Sequence, residues 1–402
     1  MAEVAHKRPL ARELSEPRFY ELDILRGVAA LMVVVFHYKH FLLISDTMGF
    51  DVAHLPFAVA LAPLYVYGQF FVELFFSISG YVFFWLYASA ISDRHTGAKT
   101  FFIARFARLY PLYLATLIFV AAGQGLFTWM HGHTFIYHNN TPGSFVLNLL
   151  MVQEWLPHAA MSFNGPSWSI SVEVFLYLLF FILCLTRLNR PLILIAVIAL
   201  GILFKLVFAS AASDFGRGVP SFFLGGLVFH VVTALRASDR AAWNRWTGLG
   251  LVWSLPPLWG LAYAGGAGWL TGVPAPFGYL FSTDTFVYVV LPLTLLYLGL
   301  RQGQWRARAL QPQSLHRIAW IGDASYSLYL LHFPLQLTVM LVMARYSDGV
   351  RLAVFSSPLF FLAFFAMAIG LAWLSFRYFE MPARRYLKLR MTRRLAQPAS
   401  IH

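Results

Sequence analysis

A chain of 402 residues could hold two or three soluble domains, but 59% hydrophobic and only 12% charged residues exclude that organisation, because soluble chains carry about 25% charged residues. A mean hydropathy of +0.66, with 39 Phe and 12 Trp, describes an all-α integral membrane protein whose aromatic side chains face lipid and its interfaces. The formal net charge of +13 would suggest nucleic acid in a soluble protein, so its distribution along the chain decides its meaning.

Ten segments have the length and apolar character of bilayer spans, which need about 20 residues each. They lie near 24–45, 64–91, 108–130, 168–186, 191–209, 218–235, 247–264, 284–300, 323–344 and 355–376. With the N-terminus inside, the cytoplasmic pieces hold 24 of the 30 Lys and Arg residues and the outer connections hold three. Cytoplasmic loops are the ones enriched in Lys and Arg. The split therefore predicts a bundle of about ten transmembrane helices with both termini cytoplasmic. Residues 1–23 are expected as a cytoplasmic N-terminal segment, 24–376 as the transmembrane domain and 377–402 as a basic cytoplasmic tail on anionic lipid. The positive charge is then a lipid-facing collar, and no nucleic-acid partner is expected. No small-residue cleavage site follows the first apolar run, which is expected to remain as a helix. The single cysteine, Cys184, lies in an apolar run and reads as packing.

The polar residues inside these segments come in clusters. Arg26 and His37 are eleven residues apart, which is about 1100° of helix, or three turns plus roughly 20°. They share one face, roughly 16 Å apart along the axis, and such groups in a lipid-length helix should face a polar cavity. His37 alone reads equally well as an interhelical hydrogen bond or a catalytic base. His40 follows one turn on, but no third ligand is near in sequence, and no metal is expected. Glu73 shares a face with Ser77 and Gly80 and requires a partner or a proton. Ser77, Ser79 and Gly80 also suit close helix packing.

Arg105 and Arg108, three residues apart at the inner end of the third segment, suit a phosphate, although topogenic anchors would look the same. Ser169, Glu173 and Tyr177 recur at i, i+4 and i+8; Ser325, Tyr329 and His332 at i, i+4 and i+7, with Tyr326 beside them. Glu380 and Arg384 form an i, i+4 pair expected to fasten the tail. The outer loop 131–167 carries His131, His133, His138, His158, Asn139, Asn140 and Asn164, suited to a sugar or to plain solvation.

In order, these clusters read Leu22-Asp-Ile-Leu-Arg26 with Arg26-x10-His37, Glu73-Leu-Phe-Phe-x-x-Ser-Gly80, Arg105-x-x-Arg108-Leu-Tyr-Pro111, Trp168-Ser-x-Ser-Val-Glu173, Ser325-Tyr-Ser-Leu-Tyr-Leu-Leu-His332 and Glu380-x-Pro382. From about residue 20 to residue 385 the chain resembles the bacterial membrane acyltransferase 3 family, the O-acyltransferases of cell-surface glycans. Many members carry a second carboxylate after the one matched by Glu173, where this chain has Val174.

The resemblance implies an enzyme of the bacterial cytoplasmic (inner) membrane. It would move an acyl group, by default acetyl, from cytoplasmic acyl-CoA to a hydroxyl of a glycan or glycolipid such as a polysaccharide or lipopolysaccharide. Acyl-CoA, that acceptor and membrane lipid are the implied partners, with glycan-assembly proteins as candidates. The family relies on residues matched by Arg26 and His37, and on arginines matched by Arg105 and Arg108. A histidine is suited to take a hydroxyl proton near neutral pH, and Arg105, Arg108 and Arg26 suit CoA phosphates. Glu73, Ser79, Ser169, Glu173, Ser325, Tyr326, Tyr329 and His332 would contact substrate or support the site, Tyr329 and Tyr326 as donors to the oxyanion. Only 18 residues follow Arg384, so the membrane module alone is expected. The competing class is a transporter or flippase of a glycan or lipid intermediate; no inverted repeat and an unbroken first helix count against it.

Overall fold

The computed structural model describes residues 19–44, 47–48, 51–155, 160–207, 213–237, 241–266, 283–307 and 313–396. Most of the N-terminal segment, His158 and the end of the basic tail lie outside the described residues. Each of the ten expected segments overlaps helix among the described residues. Among the described residues, six helical stretches are long and apolar enough to cross a membrane: Ala58–Ser92, Ala98–His131, Gly165–Leu185, Asp214–Ala237, Ser325–Met343 and Pro358–Met391. Pro191–Val207 and Phe286–Arg301 are apolar but shorter. The first helix, Tyr20–Tyr38, opens with Glu21 and Asp23 in its first turn. Among the described residues the fold is all-α apart from a two-residue antiparallel ladder, Leu43–Ile44 on Thr47–Met48.

Local chemistry sets the helix ends. Gly132, at φ 78°, caps Ala98–His131 in the left-handed conformation that glycine adopts without strain. Ser357 accepts a hydrogen bond from the Phe360 amide, and Pro358 occupies the first helical position, where its missing N–H costs nothing. Pro111, Pro220 and Pro334 lie inside helices, which a membrane bundle tolerates because neighbouring groups satisfy the freed carbonyls.

Two close approaches position the site. Phe71–Ser92, the Glu73 helix, crosses Ser213–Ala237, the Arg217 helix, almost backbone to backbone. A Cβ at Gly80 would lie 1.8 Å from the Phe222 carbonyl oxygen, and one at Gly225 1.9 Å from that of Ser77. Ser77 Oγ adds a 3.0 Å hydrogen bond to the Ser221 carbonyl at the same crossing. Small residues serve here because lipid supplies no hydrophobic drive between helices, leaving van der Waals contact and interhelical hydrogen bonds to hold them.

The second approach seats the first helix on Trp320–Asp323, where a Cβ at Gly322 would lie 2.0 Å from the Asp23 carbonyl oxygen. The chain turns there into Ser325–Met343, the Tyr329 helix, which also packs on Ala98–His131, the Arg108 helix. Trp168–Leu185, the Glu173 helix, closes the group through stacked Phe83 and Tyr177, 4.7 Å between ring centres.

Candidate active site

Five helices meet around a cavity of about 760 Å³, its open mouth included. Eight of the candidate side chains line it, from sequence positions as far apart as 26 and 329. Arg26 enters from the first helix, Ser79 from the Glu73 helix and Arg108 from the third. Ser169 and Glu173 come from the next, and Ser325, Tyr326 and Tyr329 from the last. Between them stand Phe75, Phe76 and Phe83, so the wall alternates apolar surface with polar groups, the ordinary composition of a small-molecule site.

Each polar group is held. Arg26 Nη2 donates to the Gly322 carbonyl and to Ser325 Oγ, both at 3.3 Å, while Nη1 lies 3.6 Å from Asp23 Oδ1. Arg108 is among its near charges, along with Asp323 and Glu173. Two neighbouring guanidiniums lining one cavity form a natural anion contact, since Arg presents forked donors to phosphate oxygens. Glu173 Oε1 accepts from Tyr177 OH and, at 3.4 Å, from Ser79 Oγ. Glu173, Tyr177 and Ser79 are therefore joined around one carboxylate.

Arg105 does not join Arg108. It is buried against Phe83 and Tyr87, 5.1 and 5.0 Å from their ring centres, and its Nη2 donates to Tyr87 OH at 2.7 Å. The three-residue spacing turns it from the cavity into an aromatic wedge. The tyrosines proposed as donors are also committed: Tyr329 OH donates to the Pro166 carbonyl at 2.5 Å, and Tyr326 OH to the Leu109 carbonyl at 2.6 Å. Ser169 Oγ lies 2.8 Å from Tyr329 OH.

The histidines lie behind Tyr329. His37 is buried, 4.8 Å between ring centres from His332 and 5.0 Å from His40. His37 Nδ1 lies 2.9 Å from the Val33 carbonyl oxygen. A carbonyl only accepts, so that nitrogen carries the proton and Nε2 holds the lone pair. Gln336 ties the group together: its Nε2 donates to the His37 carbonyl at 2.7 Å, and its Oε1 lies 3.1 Å from His40 Nδ1. Tyr329, on the cavity wall, packs edge-on to His332 at 6.0 Å. From the cavity inward the order is thus Tyr329, His332, His37. No group of three or more metal-ligating side chains suited to an ion occurs among the described residues.

Glu73 is outside the cavity lining. Arg217 Nε donates to its Oε1 at 2.6 Å, and the same guanidinium lies 3.5 Å from Asp214 and over Trp168. Sequence reasoning missed Arg217, although it is one of only three Lys and Arg residues in the expected outer connections. Gln336 was missed as well; its signal is its place one turn beyond His332 on the same helix. Glu380 sits in a π-helical turn, Phe376–Glu380, and accepts from Ser327 Oγ at 2.9 Å, fastening the end of the last long helix to the Tyr329 helix. In the loop 131–167 Asn139 and Asn140 are tied to Ala160, Tyr137 and Phe163, and Asn164 Nδ2 donates to the Leu330 carbonyl at 3.1 Å. That loop is folded onto the Tyr329 helix.

The chain is 34% identical over 174 residues to the acyltransferase MdmB of Streptomyces mycarofaciens, covering 41% of this chain and 39% of that protein. It is 37% identical over 105 residues to protein 2 in the picA locus of Rhizobium radiobacter, covering 26% of this chain and 45% of that one. The chain thus spans less than half the length of these curated relatives. No solved structure matches it. The model of the acyltransferase domain family, acyltransferase 3, matches residues 19–377, nearly the whole described bundle, and the chain belongs to that family.

Proposed function

We propose that this protein is a membrane O-acyltransferase that moves an acyl group, acetyl by default, from cytoplasmic acyl-CoA to a hydroxyl of a cell-surface or exported glycan or glycolipid. The observation that carries the reading is the convergence of Arg26 and Arg108 on the lining of one otherwise largely apolar cavity, with the His37–His332 pair one ring behind it. Guanidiniums suit the CoA phosphates, and an apolar wall suits the thin pantetheine arm. His37 is the general base: its Nδ1–H is spent on Val33, which leaves Nε2 to take the hydroxyl proton. Passage from the cavity to His37 leads past Tyr329, so the acyl group approaches along that ring.

The same reading assigns about ten membrane crossings with both termini cytoplasmic, in a bacterial cytoplasmic membrane. It puts the arginine-rich connections on the acyl-CoA side. The test is purified protein in lipid nanodiscs with radiolabelled acetyl-CoA and a panel of glycan acceptors. Label is expected in an acceptor with the parent and not with His37→Ala. A variant that transfers as well as the parent would overturn the base assignment. A protein that moves unmodified glycolipid across vesicles without binding acetyl-CoA would be a transporter instead.

A further inference from the structure

We propose that His332 is a second catalytic histidine, whose ring N–H donates to the oxyanion formed on the acyl carbonyl; this rests on the acyl-transfer reading above. Three observations single it out. The ring is fully buried, at 0% exposure. Neither of its nitrogens has a well-formed hydrogen bond, although the Leu328 and Tyr329 carbonyls lie near. It stands between the cavity-lining Tyr329 and His37, at 6.0 and 4.8 Å between ring centres.

A buried polar group left unpaired is destabilising, so a bundle that keeps one beside its base has a use for it. The alternatives are spoken for. Tyr329 and Tyr326 give their phenolic protons to Pro166 and Leu109. His40 Nδ1 is engaged by Gln336. His37 gives its own N–H to Val33. Among these side chains His332 alone has an N–H to offer. A neutral imidazole can serve as such a donor, polarising a carbonyl without giving up its proton.

The step balances. The acceptor oxygen attacks the thioester carbon as His37 Nε2 takes its proton, and the carbonyl π pair moves to oxygen. That oxyanion accepts the His332 N–H. On collapse the carbonyl re-forms and the C–S bond breaks. The sulfur leaves with the electron pair and takes the proton back from His37, giving ester and CoA thiol.

The test compares the parent with His332→Ala, His332→Gln and His37→Ala in nanodiscs, measuring kcat, acetyl-CoA KM and the pH–rate profile. Removing one oxyanion donor lowers kcat by about 10²–10³. His332→Ala is therefore expected to lose about that much, with KM changed less than about threefold and the acidic limb of the pH profile, which reports protonation of the base, kept. His332→Gln, which restores an N–H, is expected to recover at least tenfold over His332→Ala. His37→Ala is expected to abolish the limb. Parent-like kcat in His332→Ala, or loss of the limb in that variant, would overturn the proposal. If His332→Ala does not fold, His332→Gln carries the test: activity within tenfold of the parent with the limb intact supports it, and a collapse in kcat overturns it. Absence of transfer by the parent itself would count against the acyltransferase reading instead.

Discussion

Arg217 Nε meets Glu73 Oε1 at 2.6 Å across 144 residues of sequence, burying an ion pair between two helices that cross at Gly80 and Gly225. Glu73 is 1% exposed, so its carboxylate depends on that guanidinium. Removing one partner of a buried pair typically costs about 3–5 kcal/mol, while replacing both by apolar groups of similar volume can be nearly neutral. Arg217→Met is expected to lower the unfolding temperature in detergent sharply, and Glu73→Gln with Arg217→Met to recover much of the loss. A double variant no more stable than Arg217→Met would show that the pair does not act as a unit.

This pair also marks how far the sequence is legible. Glu73 announces that it needs a partner, because a carboxylate in an apolar helix must be paired or protonated. Nothing local names the partner, which lies on a helix far along the chain. Periodicity finds faces, and so it pairs Glu173 with Tyr177, whose hydrogen bond is local to one helix, but it does not show that Ser169 on the same stripe bonds across to Tyr329. It puts Arg105 and Arg108 together wrongly, because side chains three apart still diverge enough to enter different neighbours. The Arg26-x10-His37 spacing shows one stripe, but only the tertiary fold puts Tyr329 and His332 between its two ends.

The two arginines supply a discriminating experiment. Arg108→Ala is expected to raise the acetyl-CoA KM about tenfold or more while changing acceptor KM little, since a charge-assisted hydrogen bond is worth about 1.5–3 kcal/mol. Arg105→Ala is expected to act first on stability, through loss of its contacts with Phe83 and Tyr87. Comparable KM effects in two equally stable variants would mean that Arg105 also reaches the cofactor.

The helix crossing at Gly80 has its own test. A Cβ there meets backbone, the Phe222 carbonyl oxygen at 1.8 Å, which no side-chain rotation relieves. Gly80→Ala is expected to separate the two helices and destabilise the protein by more than 1 kcal/mol, on the scale of about 1–3 kcal/mol for overpacking. Gly370→Ala, where a Cβ meets nothing within 4 Å, is the control; it should leave stability unchanged or slightly raise it. Equal unfolding temperatures for the two variants would refute the close approach.

Glu154 gives the bundle a pH-dependent stability. It lies in the turn held against the Glu173 helix, where Ser171 Oγ accepts from the Glu154 amide at 3.2 Å and the Ser171 carbonyl accepts from Trp155 Nε1 at 3.1 Å. Burial first, and then the nearby Asp214 carboxylate, push the Glu154 carboxyl from its ordinary value of 4.5 up to about 7. The folded protein therefore holds this proton more tightly than the unfolded chain. Stability rises with pH only where the unfolded state binds more protons, so here the sign is the reverse. The contribution is fully present below pH 4.5, falls as pH rises towards about 7 and is flat above that. Thermal unfolding in detergent across this window is expected to show the decline in the parent and a shallower one in Glu154→Gln, which keeps a neutral side chain of the same shape. An identical slope in both proteins would remove Glu154 as its source.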